Sequence, residues 1–292
     1  MADTEKFCYV DARTGALGKK MSLIVSWIGK DSHGYTSAYI ASDSRVSWES
    51  NKKYDSCRKT YFLRRFPDIL GYCGDVLFPT LILQSLVELI DSKVLIDDNS
   101  SCEKRFKILC NKLSEEISKY PTEKTTGSFE ILYIGHEIIN DNYPNFKAFK
   151  YKWTKNSKHE ESELELPKDS GLINIMGSGA ECFKENYTKY IEGKEITTRY
   201  IFHSFILSLE NMTDFHCGGA PQLVGVYRKP EKGAFSYGII YNNERYYNGI
   251  RIDCFKGINN IEWRNENFEI CDGKTKIIKK NAMKQPMFQA IK

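Results

Sequence analysis

Apolar residues fall into short β-rich runs and longer helical stripes that alternate along the chain. Residues 22–28 and 35–42 are rich in Ile, Val, Tyr and Trp, and Gly29, Asp31, Ser32 and Gly34 lie between them, which predicts a β-hairpin. A second hairpin is predicted at 59–64 and 68–72, broken at Pro67-Asp68. Gly74-Asp75 then turns the chain into a helix over 77–93, where Leu77, Leu81, Leu83, Leu86, Leu89 and Ile90 fall mostly on one face. Ser100 or Ser101 is placed to cap a helix over 102–120, with Phe106, Leu109, Leu113 and Ile117 at helical spacing. Strands are predicted at 128–135, 145–153 and 171–177, helices at 180–192 and 197–211, and strands at 221–228 and 235–241. The charged stretch 154–170 reads as a solvated loop, and the basic, weakly periodic segment beyond residue 254 predicts no regular structure.

Strands, two helices, strands, two helices, strands is the order of an α+β protein. It predicts two stacked antiparallel sheets with a helix pair on each outer face, a four-layer αββα sandwich. The division expected is a leader or mis-assigned extension over 1–21, one domain over 22–253, and a basic C-terminal tail over 254–292.

Composition narrows the function. Lys+Arg 42 against Asp+Glu 38 gives a net charge of +4, scattered rather than striped, which argues against nucleic acid. No apolar run reaches the length of a membrane span, and the first twenty residues lack the apolar core of a secretory signal. Nine cysteines without C-x-x-C pairs point to reduced thiols in a cytoplasmic protein, without a zinc knuckle or disulfide framework. The five histidines show no metal spacing, and no cofactor motif is present: Gly177-Ser178-Gly179 lacks the lysine of a phosphate loop.

Five places carry the candidate chemistry: Ser22-Leu23-Ile24-Val25-Ser26; Ala41-Ser42-Asp43-Ser44-Arg45; Arg58-Lys59-Thr60-Tyr61-Phe62; Gly71-Tyr72-Cys73-Gly74-Asp75; and the pair Gly177-Ser178-Gly179-Ala180 with Thr213-Asp214-Phe215-His216-Cys217-Gly218-Gly219. In this order they resemble the proteasome β-subunit family of N-terminal-nucleophile (Ntn) hydrolases, nearest to its bacterial proteasome-like peptidases. The resemblance implies the Ntn-hydrolase fold and an amide hydrolase, a peptidase, in which Ser22 is the nucleophile and its own α-amine the general base. It implies Lys59 as the cation beside that amine, Asp43 as its partner, Gly74 as the oxyanion donor, and Asp214, Ser178 and Cys217 as supports for the amine end. It further implies a peptide or protein substrate, a homo-oligomeric ring and an ATP-driven unfoldase as partner.

The chemistry is coherent. A hydroxyl is a poor nucleophile until a base takes its proton. An α-amine titrates near 7.7–8.0, and a neighbouring ammonium lowers that value toward neutrality. The departures are serine where the family has threonine, Cys217 where it has serine, and Met21 where a self-cleaving chain has glycine. Translation starting at Met21 followed by methionine removal is a second route to a free Ser22. A one-residue shift of register, which puts Met21 in the nucleophile position, leads to a catalytically silent structural or regulatory subunit. A small-amide hydrolase is the third reading.

Overall fold

The computed structural model describes residues 21–48, 52–121, 127–139, 143–155, 157–191, 196–229, 233–253 and 256–282. Of the leader expected over 1–21, all but Met21 lies outside them, as does the end of the tail. The described chain is α+β. Its strands are β1 (Ile24–Asp31), β2 (Gly34–Ser42), β3 (Val46–Ser47), β4 (Lys53–Tyr54), β5 (Thr60–Phe62), β6 (Asp68–Gly74), β7 (Ser128–Ile139), β8 (Tyr143–Thr154), β9 (Ser157–Leu164) and β10 (Gly171–Met176). After the helices α1 (Leu77–Asp91), α2 (Cys102–Lys119), α3 (Ala180–Ile191) and α4 (Thr198–Glu210) come β11 (Gln222–Tyr227), β12 (Ala234–Tyr241), β13 (Glu244–Tyr247), β14 (Ile250–Arg251), β15 (Trp263–Arg264) and β16 (Ile270–Cys271). One sheet runs β10-β1-β2-β11-β12-β13-β14, with β15 and β16 joined to it through β12; the other runs β5-β6-β7-β8-β9.

The period of two in the sequence decides which core each side chain enters. Leu23, just before β1, and Val25 and Trp27 within it enter a cluster with Phe183 of α3 and Ile201, Phe202 and Phe205 of α4. Ile24 and Ile28, from the opposite face of the strand, join Ile69, Leu132 and Ile134 of the other sheet. That second sheet splits in the same way: Tyr72, Ile131, Tyr133 and Tyr151 meet Leu83 and Leu86 of α1 and Phe106 and Leu109 of α2. Each such apolar side chain contributes about 1.5–3 kcal/mol on burial. The Ser101 hydroxyl caps α2 by accepting the Lys104 N–H.

Two expectations fail here. The stretch 154–170 is not a loop throughout: β9 pairs antiparallel with β8. It is an edge strand whose charges pair with neighbours (Lys107 with Glu161, Lys152 with Glu160, Lys147 with Glu163), so it has backbone pairing without an apolar run to announce it. Beyond residue 254, β15 pairs in parallel with β12, and Trp263 lies buried on Gly238, where a Cβ would come within 2.4 Å of the indole. Strands of two residues are too short to leave a period in the sequence.

His136 of β7 ties the sheets together. Its Nε2 lies 3.0 Å from the Tyr227 carbonyl on β11, and its buried Nδ1 has no hydrogen-bond partner among the described residues. Burial brings its pKa down to about 4. An unfolded histidine titrates near 6.5, so between these values the unfolded chain binds a proton that the folded one refuses. Stability therefore falls as pH drops through 6.5, by up to about 3 kcal/mol near pH 4. Urea unfolding against pH is expected to show this loss in the wild type and a flatter curve in His136→Gln; equal slopes would remove His136 as the cause.

Candidate active site

The edge between β1 and β2 sets the site. The antiparallel pairing of Ile24 with Ser42 places Asp43 beside Leu23, whose N–H donates to Asp43 Oδ1 at 3.0 Å. Asp43 Oδ2 accepts the N–H groups of Arg45 (3.2 Å) and Gly218 (3.1 Å). From the strand region before β5, the Lys59 ammonium reaches across and donates to Asp43 Oδ1 at 2.9 Å and to Ser22 Oγ at 2.6 Å. All three side chains are buried, so the contact is a charge-assisted pair shielded from water.

Two glycines shape the other walls. Gly74, at the end of β6, has φ +98°, and a Cβ there would lie 2.4 Å from the Ser128 carbonyl. Its N–H donates to the Met21 carbonyl at 3.2 Å. Gly177, with φ +94°, lets the turn before α3 close on Ser22: a Cβ would come within 2.0 Å of the Ser22 carbonyl oxygen, which accepts the Gly179 N–H at 3.2 Å. Ser22 itself has φ +94°, a region that costs a residue with a side chain about 1–3 kcal/mol.

Ser178, Asp214 and Cys217 adjoin this turn. Ser178 Oγ lies 3.4 Å from Cys217 Sγ, which lies 3.5 Å from Asp214 Oδ2. Burial acts to raise the Asp214 pKa, but hydrogen bonds from Ser178, the His216 N–H and Cys217 outweigh it and hold the carboxyl below its ordinary value. Burial, helped by the Asp43 charge, pushes the Cys217 thiol up to about 12, so it is a thiol and not a thiolate nucleophile.

All seven residues singled out in the sequence are thus brought to one place. Ser22, rather than Met21, faces Lys59. Three further contributors were missed. Gln222 accepts the Lys59 N–H at 3.0 Å and donates to the carbonyls of Asp43 and Cys57, locking three segments together. Ser47 Oγ contacts Met21 Sδ at 3.6 Å and His216 Nδ1 at 2.7 Å, which puts both residues beside Met21. A glutamine opening a strand and a serine in a two-residue strand leave no signal of their own; His216 sits inside the motif that carried Asp214. No group of His, Cys, Asp and Glu among the described residues is arranged to hold a metal ion, and no described helix is long and apolar enough to cross a membrane.

No family model matches the chain, and no curated protein matches it. Among solved structures, it resembles the Anbu (Gly-1) mutant from Hyphomicrobium sp. strain MC1, at 12% identity and TM-score 0.50 over 82% of this chain and 91% of that one. Thiobacillus denitrificans BPH in complex with Epoxomicin matches at 13% identity and TM-score 0.43, over 71% of this chain and 100% of that one. Anbu (ancestral beta-subunit) from Yersinia bercovieri matches at 12% and 0.47, over 73% and 86%. The expected membership of the proteasome β-subunit family is therefore corrected. Neither sequence comparison finds it, and what the chain shares with the Hyphomicrobium protein at 12% identity is fold alone.

Proposed function

We propose that the protein is an amide hydrolase, a peptidase, that works once the bond before Ser22 is broken. The observation that carries this reading is the buried Lys59 ammonium, held by Asp43 and donating to Ser22 Oγ at 2.6 Å. An ammonium that already donates to Oγ and is paired with a carboxylate is poorly placed to act as the base, so the base is the freed Ser22 amine. That amine takes the Oγ proton, Oγ attacks the substrate carbonyl, and the Gly74 N–H receives the developing oxyanion. The proton then passes to the leaving amine, and water hydrolyses the ester left on Ser22. Asp214, Ser178 and Cys217 orient the amine.

The uncleaved chain supports this assignment: the Met21 carbonyl occupies the Gly74 N–H, where a substrate carbonyl would sit. Met21 and what precedes it then act as a leader whose last carbonyl fills the acyl side of the site, and the catalytic domain runs from Ser22 through β15 and β16, with helix pairs outside two stacked sheets. The strained φ of Ser22 is relieved when that bond breaks.

Intact-mass measurement of natively expressed protein, with and without a hydroxyl-directed peptide electrophile, tests the proposal. A chain beginning at Ser22 that gains one equivalent of probe is the expected result. A working chain that keeps Met21 and leaves Ser22 unlabelled would sink it and favour a catalytically silent subunit. Labelling and turnover of small amides without cleavage of an unfolded polypeptide would favour the small-amide reading.

A further inference from the structure

Away from Ser22, the turn joining β5 to β6, the outer face of α1 and the end of β13 enclose a cavity of about 800 Å³. Three arginines line it: Arg58, Arg64 and Arg65. Arg58 is half-buried, stacks over the Tyr61 ring at 4.4 Å, and donates to the Thr60 carbonyl and to Gln84 Oε1. No carboxylate lies within ion-pair reach of it among the described residues. Burial, together with the Arg64 charge, lowers its pKa.

The two carboxylates in the cavity wall are already engaged. Asp91 accepts the backbone N–H groups of Arg64 and Arg65, and Glu88 accepts from Gln84. The turn's backbone is thereby pinned to α1 while both guanidinium groups stay exposed. A guanidinium withdrawn from water without a counter-charge is costly, and the Arg64 charge near it adds repulsion. An anion entering the cavity relieves both.

We propose that this cavity binds an organic phosphate of nucleotide or sugar-phosphate size, its phosphate on Arg58, Arg64 and Arg65. Planar guanidinium forks match phosphate oxygens two at a time, and three of them suit a dianion. The volume lies in the range of small-molecule sites and exceeds what a bare phosphate ion needs. Glu88 keeps its second carboxylate oxygen, Oε2, as an acceptor for ligand hydroxyls, and Tyr247 is among the lining residues.

Calorimetric titration of the full chain with AMP, ribose 5-phosphate and inorganic phosphate tests the proposal. Saturable binding of at least one organic phosphate is expected, at least about tenfold tighter than inorganic phosphate and weakened by salt. In Arg64→Gln/Arg65→Gln the affinity is expected to fall about tenfold or more with an unchanged thermal midpoint, because only the backbone of these residues bonds Asp91. Arg58→Gln is expected to abolish binding. No saturable heat with any of the three, or equal affinity in the double variant, overturns the proposal. Equal binding of inorganic and organic phosphate keeps the anion site and overturns the organic ligand. None of these readouts depends on hydrolysis at Ser22.

Discussion

Replacing Lys59 with methionine is expected to lower kcat/KM on a peptide amide at least about a thousandfold, equivalent to roughly 4 kcal/mol of transition-state stabilisation. Methionine keeps an unbranched, buried chain of similar length and removes only the ammonium. What is lost is the donor at 2.6 Å from Ser22 Oγ and, on the proposed mechanism, the positive charge beside the freed α-amine. That charge disfavours the protonated amine. Without it the amine keeps its proton to higher pH, so the residual activity should appear only at more alkaline pH than in the wild type. Arginine should not rescue, because its planar fork does not fit a point contact between one carboxylate oxygen and one hydroxyl. The variant should fold with a loss of about 3 kcal/mol. Asp43 is left buried, but it still accepts the N–H groups of Leu23, Arg45 and Gly218. A kcat/KM near that of the wild type with an unmoved pH profile would remove Lys59 from the chemistry.

The largest stability effect is expected at a buried ion pair remote from this chemistry. Arg105 of α2 donates to both carboxylate oxygens of Asp68, at 2.5 and 2.7 Å, and also to the His136 carbonyl at 2.9 Å. The Tyr133 hydroxyl donates to the same carboxylate at 2.6 Å. The space is tight: a Cβ on Gly135 would overlap Asp68 Oδ1 at 1.9 Å. Arg105→Met should cost about 3–5 kcal/mol, because it strands a fully buried carboxylate with one hydroxyl donor. Asp68→Leu in the same chain should recover much of that loss, since a well-packed apolar pair replaces an ion pair at little net cost. Urea unfolding of the wild type, both single variants and the double variant measures the coupling. A single-variant loss under about 1 kcal/mol would mean that water reaches the site and solvates the orphaned charge.

What could be read in the sequence and what could not divide along physical lines. Trp27, Tyr39 and Leu223 sit on strands buried on both faces, and long apolar runs of that kind are conspicuous. The helices carried their stripes, and Ser101 capped where a cap was expected. The polar edge strand β9 and the two-residue pairings of β15 and β16 were not legible, because backbone hydrogen bonds there need no apolar alternation. At the site, residues at turns and strand ends stood out by type: Asp43, Lys59, Gly74, Gly177. Gln222 did not, since its role depends on three carbonyl and amide groups that only the tertiary structure brings together. The motifs that located the site suggested kinship as well, and there they said more than sequence comparison upholds.

The position of the segment between β15 and β16 has a consequence for how the chain folds as it leaves the ribosome. Phe268 stands against Tyr39 and Phe202, with ring centroids 5.3 and 5.2 Å apart, and Arg264 lies over its ring. Phe268 leaves the ribosome more than two hundred residues after Tyr39, the ring it covers. The part of the β2 face that Phe268 covers therefore stays open until that residue has emerged. A nascent chain halted before residue 263 leaves the Tyr39 and Phe202 rings without Phe268, an apolar surface of the kind that chaperones bind.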